Sequence, residues 1–225
     1  MQDRNGFLAN FGRGINYLLL ALALAGISCS RSAPTISYSS LRLVIYQQEG
    51  GTYQRYSFFV LPHDEDGLED LDELYLYHDR EGLAWRLSSE DWLSFSIDGN
   101  TWVGSHSIAM NGEEPLPRGQ FRAVIVDKGG ERSERLIGFD APQNPRFAFP
   151  LFTVAEGRYV LESGYPEHFL VCYNEQGAFL QTLQLNAREG SLESLSLPQE
   201  ALTAALWAED GEYQTAALTT VVPLR

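Results

Sequence analysis

Gln120–Asp140 reads QFRAVIVDKGGERSERLIGFD, and its patterning decides the fold class. Apolar side chains recur at alternate positions, Phe121, Ala123 and Ile125 before Lys128-Gly129-Gly130 and Ile137 and Phe139 after it. That spacing sends alternate residues to opposite faces of an extended chain, and the two glycines supply a bend. The segment reads as a β-hairpin. The same rhythm recurs along the chain: LRLVIYQQ alternates Leu41, Leu43 and Ile45, and ELYLYHD sets Leu74 and Leu76 against Tyr75 and Tyr77. In WLSFSIDGN, alternation points Leu93, Phe95 and Ile97 inward and Trp92 outward, ahead of an Asp98-Gly99 turn. Beyond residue 150, RYVLES, HFLVCYNEQGAFLQTLQL, SLESLSLP, ALTAALWAED and YQTAALTTVVPL predict about six more strands, with turns at Gln176-Gly177 and Asp210-Gly211. If Leu202, Ala204 and Leu206 face in, Trp207 faces out. Helical signals are few. HDEDGLEDLDEL has room for one turn, and LPQEALTAALW holds good helix formers but is equally well a strand entered after Pro198.

Many short strands about 8–12 residues apart indicate an all-β chain of antiparallel β-sandwiches. DAPQNPRFAFP concentrates Pro142, Pro145 and Pro150 and reads as a stiff linker or strand-entry segment. The expected organisation is a signal peptide at 1–28, a tether at 29–38, sandwich domain 1 at 39–141, a Pro-rich linker at 142–148 and sandwich domain 2 at 149–225. Two units of that size resemble tandem immunoglobulin or fibronectin III domains in architecture. The disulfide and Trp pattern of antibody domains is absent, so no functional residue follows from that resemblance.

Residues 1–28 have the layout of an export signal, with Arg4 and Arg13 ahead of an apolar run from Ile15 to Ile27. Spanning a bilayer takes about 20 apolar residues, so a cleaved signal fits better than an anchor helix. Gly26-Ile27-Ser28-Cys29 resembles the lipobox of bacterial lipoproteins, in the relaxed form of spirochaete-type members. That resemblance implies cleavage after Ser28, acylation of Cys29, and attachment to a membrane of the cell envelope on its extracytoplasmic side, periplasmic or surface. One acyl chain binds a membrane only marginally; the three chains of this family anchor permanently. With Cys29 acylated, Cys172 is left without an intrachain disulfide partner. It lies in an apolar run and reads as a small buried hydrophobe.

Composition narrows the partners. The chain has 225 residues, 44% of them hydrophobic, and a formal net charge of −14. Removing Arg4, Arg13 and Asp3 with the signal leaves 14 basic and 29 acidic residues, hence −15. A body that acidic repels phosphate backbones, which excludes nucleic acid as a partner. No nucleophile elbow or phosphate-binding glycine loop occurs. His63, His78, His106 and His168 are scattered without zinc spacing, and the serines flanking His106 point away from it along a strand. The expectation is therefore a binding or scaffolding module with no catalytic residues, no cofactor and no metal, held at the envelope with a protein partner. In the acidic stretch after His63, Asp64, Asp66 and Asp70 form a weak calcium candidate, with a solvated connection as the simpler reading. An alternative function is carbohydrate binding through exposed aromatics of domain 1, with Trp85, Trp92 and Trp102 as the patch.

Overall fold

The computed structural model describes residues 32–48, 51–112, 114–143 and 146–225. The signal segment, Cys29 and Pro145 lie outside the described residues. In the first part of the chain the strands are β1 (Thr35–Gln48), β2 (Gly51–His63), β3 (Leu71–His78) and β4 (Leu83–Ser88). They continue as β5 (Leu93–Ile97), β6 (Asn100–Ile108), β7 (Gly119–Asp127) and β8 (Arg132–Phe139). The second part adds β9 (Leu151–Ala155), β10 (Arg158–Glu162), β11 (Glu167–Tyr173) and β12 (Phe179–Gln184). It ends with β13 (Glu189–Ser191), β14 (Thr203–Asp210), β15 (Thr215–Leu218) and β16 (Val222–Pro223). Three single 3₁₀ turns, at Leu68–Asp70, Asp79–Glu81 and Leu192–Ser194, account for the helical backbone among the described residues. The fold is all-β.

One wide sheet runs in the order β12-β11-β14-β15-β1-β2-β6-β5, with β16 beside β14. Two smaller sheets, β4-β3-β7-β8 and β13-β10-β9, accompany it. The hairpin expected at 120–140 is β7–β8, turning at Asp127–Gly130, where the Gly130 N–H donates to the Asp127 carbonyl over 3.1 Å. Gly130 has φ +87, a conformation in which a glycine meets no steric cost. Alternation in β3 is as read. Leu74 and Leu76 are fully buried, and Tyr75 and Tyr77 stack on the opposite face with centroids 5.5 Å apart.

Period two also holds in β1, with a consequence that the strand alone does not reveal. Leu41 and Leu43 enter a core with Tyr56, Phe58, Leu74, Phe121 and Phe139, between the wide sheet and the four-stranded one. Ile45, next on the same face, enters a second core with Tyr159, Leu161, Leu170, Leu206 and Ala217. Tyr56 centres the first core. Its ring meets Trp85, Phe121 and Phe139 edge-on at 6.0, 5.6 and 5.2 Å, and its hydroxyl donates to the Pro117 carbonyl. Each such aromatic pair contributes about 0.5–1.5 kcal/mol beyond its buried area.

The 142–148 segment separates the two cores along the chain: Ala141 packs in the first and Phe147 against the second. It does not separate the sheets, because β1 pairs with β2 on one edge and, in parallel, with β15 on the other. Residues 33–225 accordingly form one compact unit. Strand β1 begins at Thr35, so the last four residues expected as tether already belong to it, and Ile36 is buried. SLESLSLP is a short strand end followed by a 3₁₀ turn, because Ser191 caps it by accepting a hydrogen bond from the Glu193 N–H. ALTAALW is strand. Its small residues fit where β11 and β15 close on both sides and burial reaches both faces.

Candidate functional site

The wide sheet has one face on the two cores and one face turned away from them. Strand β5 is its edge, and register places Leu93, Phe95 and Ile97 opposite Gly104, Trp102 and Asn100 of β6. Neighbouring Val103 belongs to the core face, so these three side chains stand on the other one. The inward assignment of Leu93, Phe95 and Ile97 is thus overturned: Leu93 is 51% and Ile97 53% exposed. Trp92, expected outward, instead packs against the first core. The Asp98-Gly99 turn forms as read, with φ +51 and +78, the left-handed pair that a tight hairpin needs. Period two distinguishes two faces without saying which is covered, and at an edge strand the uncovered face carried the apolar set.

This apolar edge continues inward as an aromatic row. Phe95 lies 5.0 Å from Phe59, Phe59 4.7 Å from His106, and His106 5.7 Å from Trp207, centroid to centroid. Strands β6 and β14 are separated by three others, which in a flat sheet would hold them ~19 Å apart. Meeting side chains on strands so far apart require the sheet to curl toward this face. The curl buries Phe59, Val44 and Ala216. His106 Nδ1 and Ser57 Oγ are 2.8 Å apart, and desolvation lowers the imidazole from 6.5 to about 4. It is therefore neutral at pH 7. Trp207 donates its indole N–H to Glu209, which also pairs with Arg42 at 3.3 Å. Sequence reading missed Ser57 and Phe59 as neighbours of His106, because cross-strand partners leave no local signal.

The three tryptophans of the alternative patch do not share a surface. Trp85 on β4 packs against the first core and donates its indole N–H to the Ala109 carbonyl over 2.9 Å. Trp92 packs against that same core, while Trp102 lies half-buried on the curled face opposite Phe95. Cys172 is fully buried, and burial pushes its thiol up to about 11. His78 is buried, with Nε2 donating to the Arg118 carbonyl over 3.0 Å. His168 lies beside Arg188 in an open groove at the end of the β11–β12 hairpin.

The acidic stretch is only partly what its sequence suggests. Asp64 and Asp70 converge, but their third neighbour is Asp127, at the end of β7. One carboxylate oxygen from each lies within 4.8 Å of the others. Asp66 is not in this group; its backbone N–H donates to Asp64 Oδ1 over 2.9 Å.

No protein-family model matches the chain, and no curated protein is significantly similar to it. Among solved structures, dimeric latent PorU from Porphyromonas gingivalis is 12% identical, with a TM-score of 0.32, over 85% of this chain and 20% of that one. Tp47, the 47-kilodalton lipoprotein of Treponema pallidum, is 11% identical, with a TM-score of 0.29, over 84% and 50%. The BSP domain of a biofilm-associated protein is 12% identical, with a TM-score of 0.24, over 82% and 29%. The chain thus spans half or less of each of these proteins. Likenesses this distant assign it no activity, ligand or partner.

Proposed function

We propose that this chain is a lipid-anchored extracytoplasmic module that binds a protein partner at the cell envelope. The lipobox-like Gly26–Cys29 after an apolar run supports the anchor. The observation that carries the binding half is the β5 edge, where Leu93 and Ile97 stand half-exposed beside Phe95 and Trp102 on a strand that pairs on one side only among the described residues. Unpaired backbone and exposed apolar side chains in one place suit the addition of a partner's strand. A continuous apolar edge favours protein over sugar, and the division of the three tryptophans between two sheet faces gives the carbohydrate reading no support. The acidic body keeps nucleic acid away.

The anchor is tested by growing cells with a clickable palmitate analogue. The wild-type protein incorporates it and fractionates with membranes; Cys29→Ala does neither. The partner is tested with a photo-crosslinking residue at Leu93 or Ile97 in intact cells. A discrete adduct at these positions, with none from the exposed Glu175 at a distant turn, is the expected result. A smear or no adduct at both edge positions overturns the partner reading without touching the anchor.

A further inference from the structure

We propose that Asp64, Asp70 and Asp127 form a Ca²⁺-binding site that ties the β2–β3 connection to the turn of the β7–β8 hairpin. The inference stands on residues 64–70 and 127 alone and does not depend on the anchor or on the β5 edge. Asp64 follows β2, Asp70 closes the 3₁₀ turn that leads into β3, and Asp127 ends β7. The three side chains therefore come from the connection between the wide sheet and the four-stranded sheet, and from the latter's β7–β8 hairpin.

Burial and satisfaction point to a cation. Asp127 is 2% exposed and Asp64 9%. One oxygen of each is used locally: Asp64 Oδ1 accepts from the Asp66 N–H, and Asp127 Oδ1 accepts from the Glu131 N–H over 2.8 Å. The other oxygens, Oδ2 of Asp64, Asp70 and Asp127, are all buried, and none has a hydrogen-bond partner. Three carboxylates shielded from water and aimed at one another are strongly unfavourable unless a positive charge lies between them. Among the described residues no side-chain cation fills that role. Lys128, next in the chain to Asp127, donates its Nζ to the Glu69 carbonyl over 2.6 Å, and among the described residues no ion pair involves any of the three.

The chemistry selects the ion. An all-oxygen donor set is hard, suited to Ca²⁺, Mg²⁺ or Mn²⁺ and not to zinc or copper. Calcium–oxygen distances of roughly 2.3–2.6 Å place ligands on opposite sides of one ion about 4.6–5.2 Å apart. Oxygens within 4.8 Å of one another fit that sphere. The surrounding backbone is already braced: the Lys128 N–H donates to the Asp70 carbonyl over 2.8 Å, and the Gly67 N–H to that of Asp64 over 3.3 Å. The ion would find its carboxylates in place. Glu65, Asp66, Glu69, Asp72 and Glu73 add a negative field that draws cations in.

The test uses the full chain in non-ionic detergent, stripped with EGTA, in about 0.15 M NaCl to screen exposed charges. Equilibrium dialysis with radioactive calcium should give one ion per chain. Calcium about 100-fold above its Kd should raise Tm by roughly 5–10 °C over EGTA. Asp70→Asn changes the least buried of the three and should fold, yet bind calcium at least about tenfold more weakly. Asp66→Asn should bind as the wild type does. Absence of binding and of a Tm shift in the wild type overturns the site. Equal losses in Asp66→Asn and Asp70→Asn overturn it as well, since they mean attraction to a diffuse acidic loop.

Discussion

Leu43 and Ile45 sit two residues apart on the same face of β1, and each packs into a different core. A single strand therefore belongs to both halves, and its pairing with β2 and β15 makes the wide sheet continuous. Two sandwiches in series would be joined by the 142–148 linker alone; these halves share a hydrogen-bonded strand.

Residues 33–225 should unfold in one cooperative transition. Leu43→Ala and Ile45→Ala should each destabilise the chain by about 2–5 kcal/mol, as deletion of a fully buried branched side chain does, and so lower the midpoint of that same transition. Calorimetry gives the result directly. Two transitions, each moved by only one of the substitutions, would mean that β1 does not couple the halves.

Gly104 is the tightest point between β2 and β6. A Cβ there would stand 2.0 Å from the Phe58 carbonyl oxygen and 2.7 Å from the Phe59 Cα. Both are backbone atoms, so the strands must separate. Gly104→Ala should cost about 3 kcal/mol or more, whereas Gly138→Ala, which meets nothing within 4 Å, should fall within about 1 kcal/mol of wild type. Urea denaturation of the two variants side by side is the measurement.

His106 makes stability depend on pH with a defined sign. Its folded-state value is about 4 against an ordinary 6.5, through desolvation, so the unfolded chain takes up the proton first as pH falls. The stability contributed by the neutral imidazole is present above pH 6.5 and is lost progressively between 6.5 and 4. The upper part of that window lies above the ordinary carboxylate range and is the cleanest to read. His168 is shifted in the same direction, by burial and by Arg188. The flattening produced by His106→Gln in urea titrations between pH 6.5 and 5 isolates His106; an unchanged slope would remove it as a cause.

Thiol titration separates the two cysteines. Cys172 is fully buried with its thiol pushed up to about 11, so it should ignore an aromatic disulfide reagent until the protein unfolds. The acylated protein then shows one reactive thiol, and Cys29→Ala also shows one. An unacylated wild-type chain shows two.

The strands of β3, β7, β8, β11 and β12 were legible because each is a short alternating or apolar stretch bounded by turn residues such as Lys128-Gly129-Gly130 and Gln176-Gly177. Local pattern and tertiary environment agree there. Residues 201–210 were ambiguous because alanine and leucine suit a helix when isolated; pairing on both sides decided for strand. Asp64 and Asp70 could be suspected together because they lie in one acidic run. Asp127 could not, because only the pairing of β3 with β7 brings it there.

By itself, the order of residues determined the strand content, most of the turns and the presence of a lipobox-like pattern at Gly26–Cys29, since each of these is written in neighbours a few positions apart. The tertiary structure alone decided that β1 serves two cores, that Leu93 and Ile97 face away from them, and that three carboxylates meet. Those outcomes depend on which face of a strand is covered and by what. That is settled by backbone hydrogen bonds and apolar burial between segments distant in the chain, where alternation supplies the two faces and carries no preference between them.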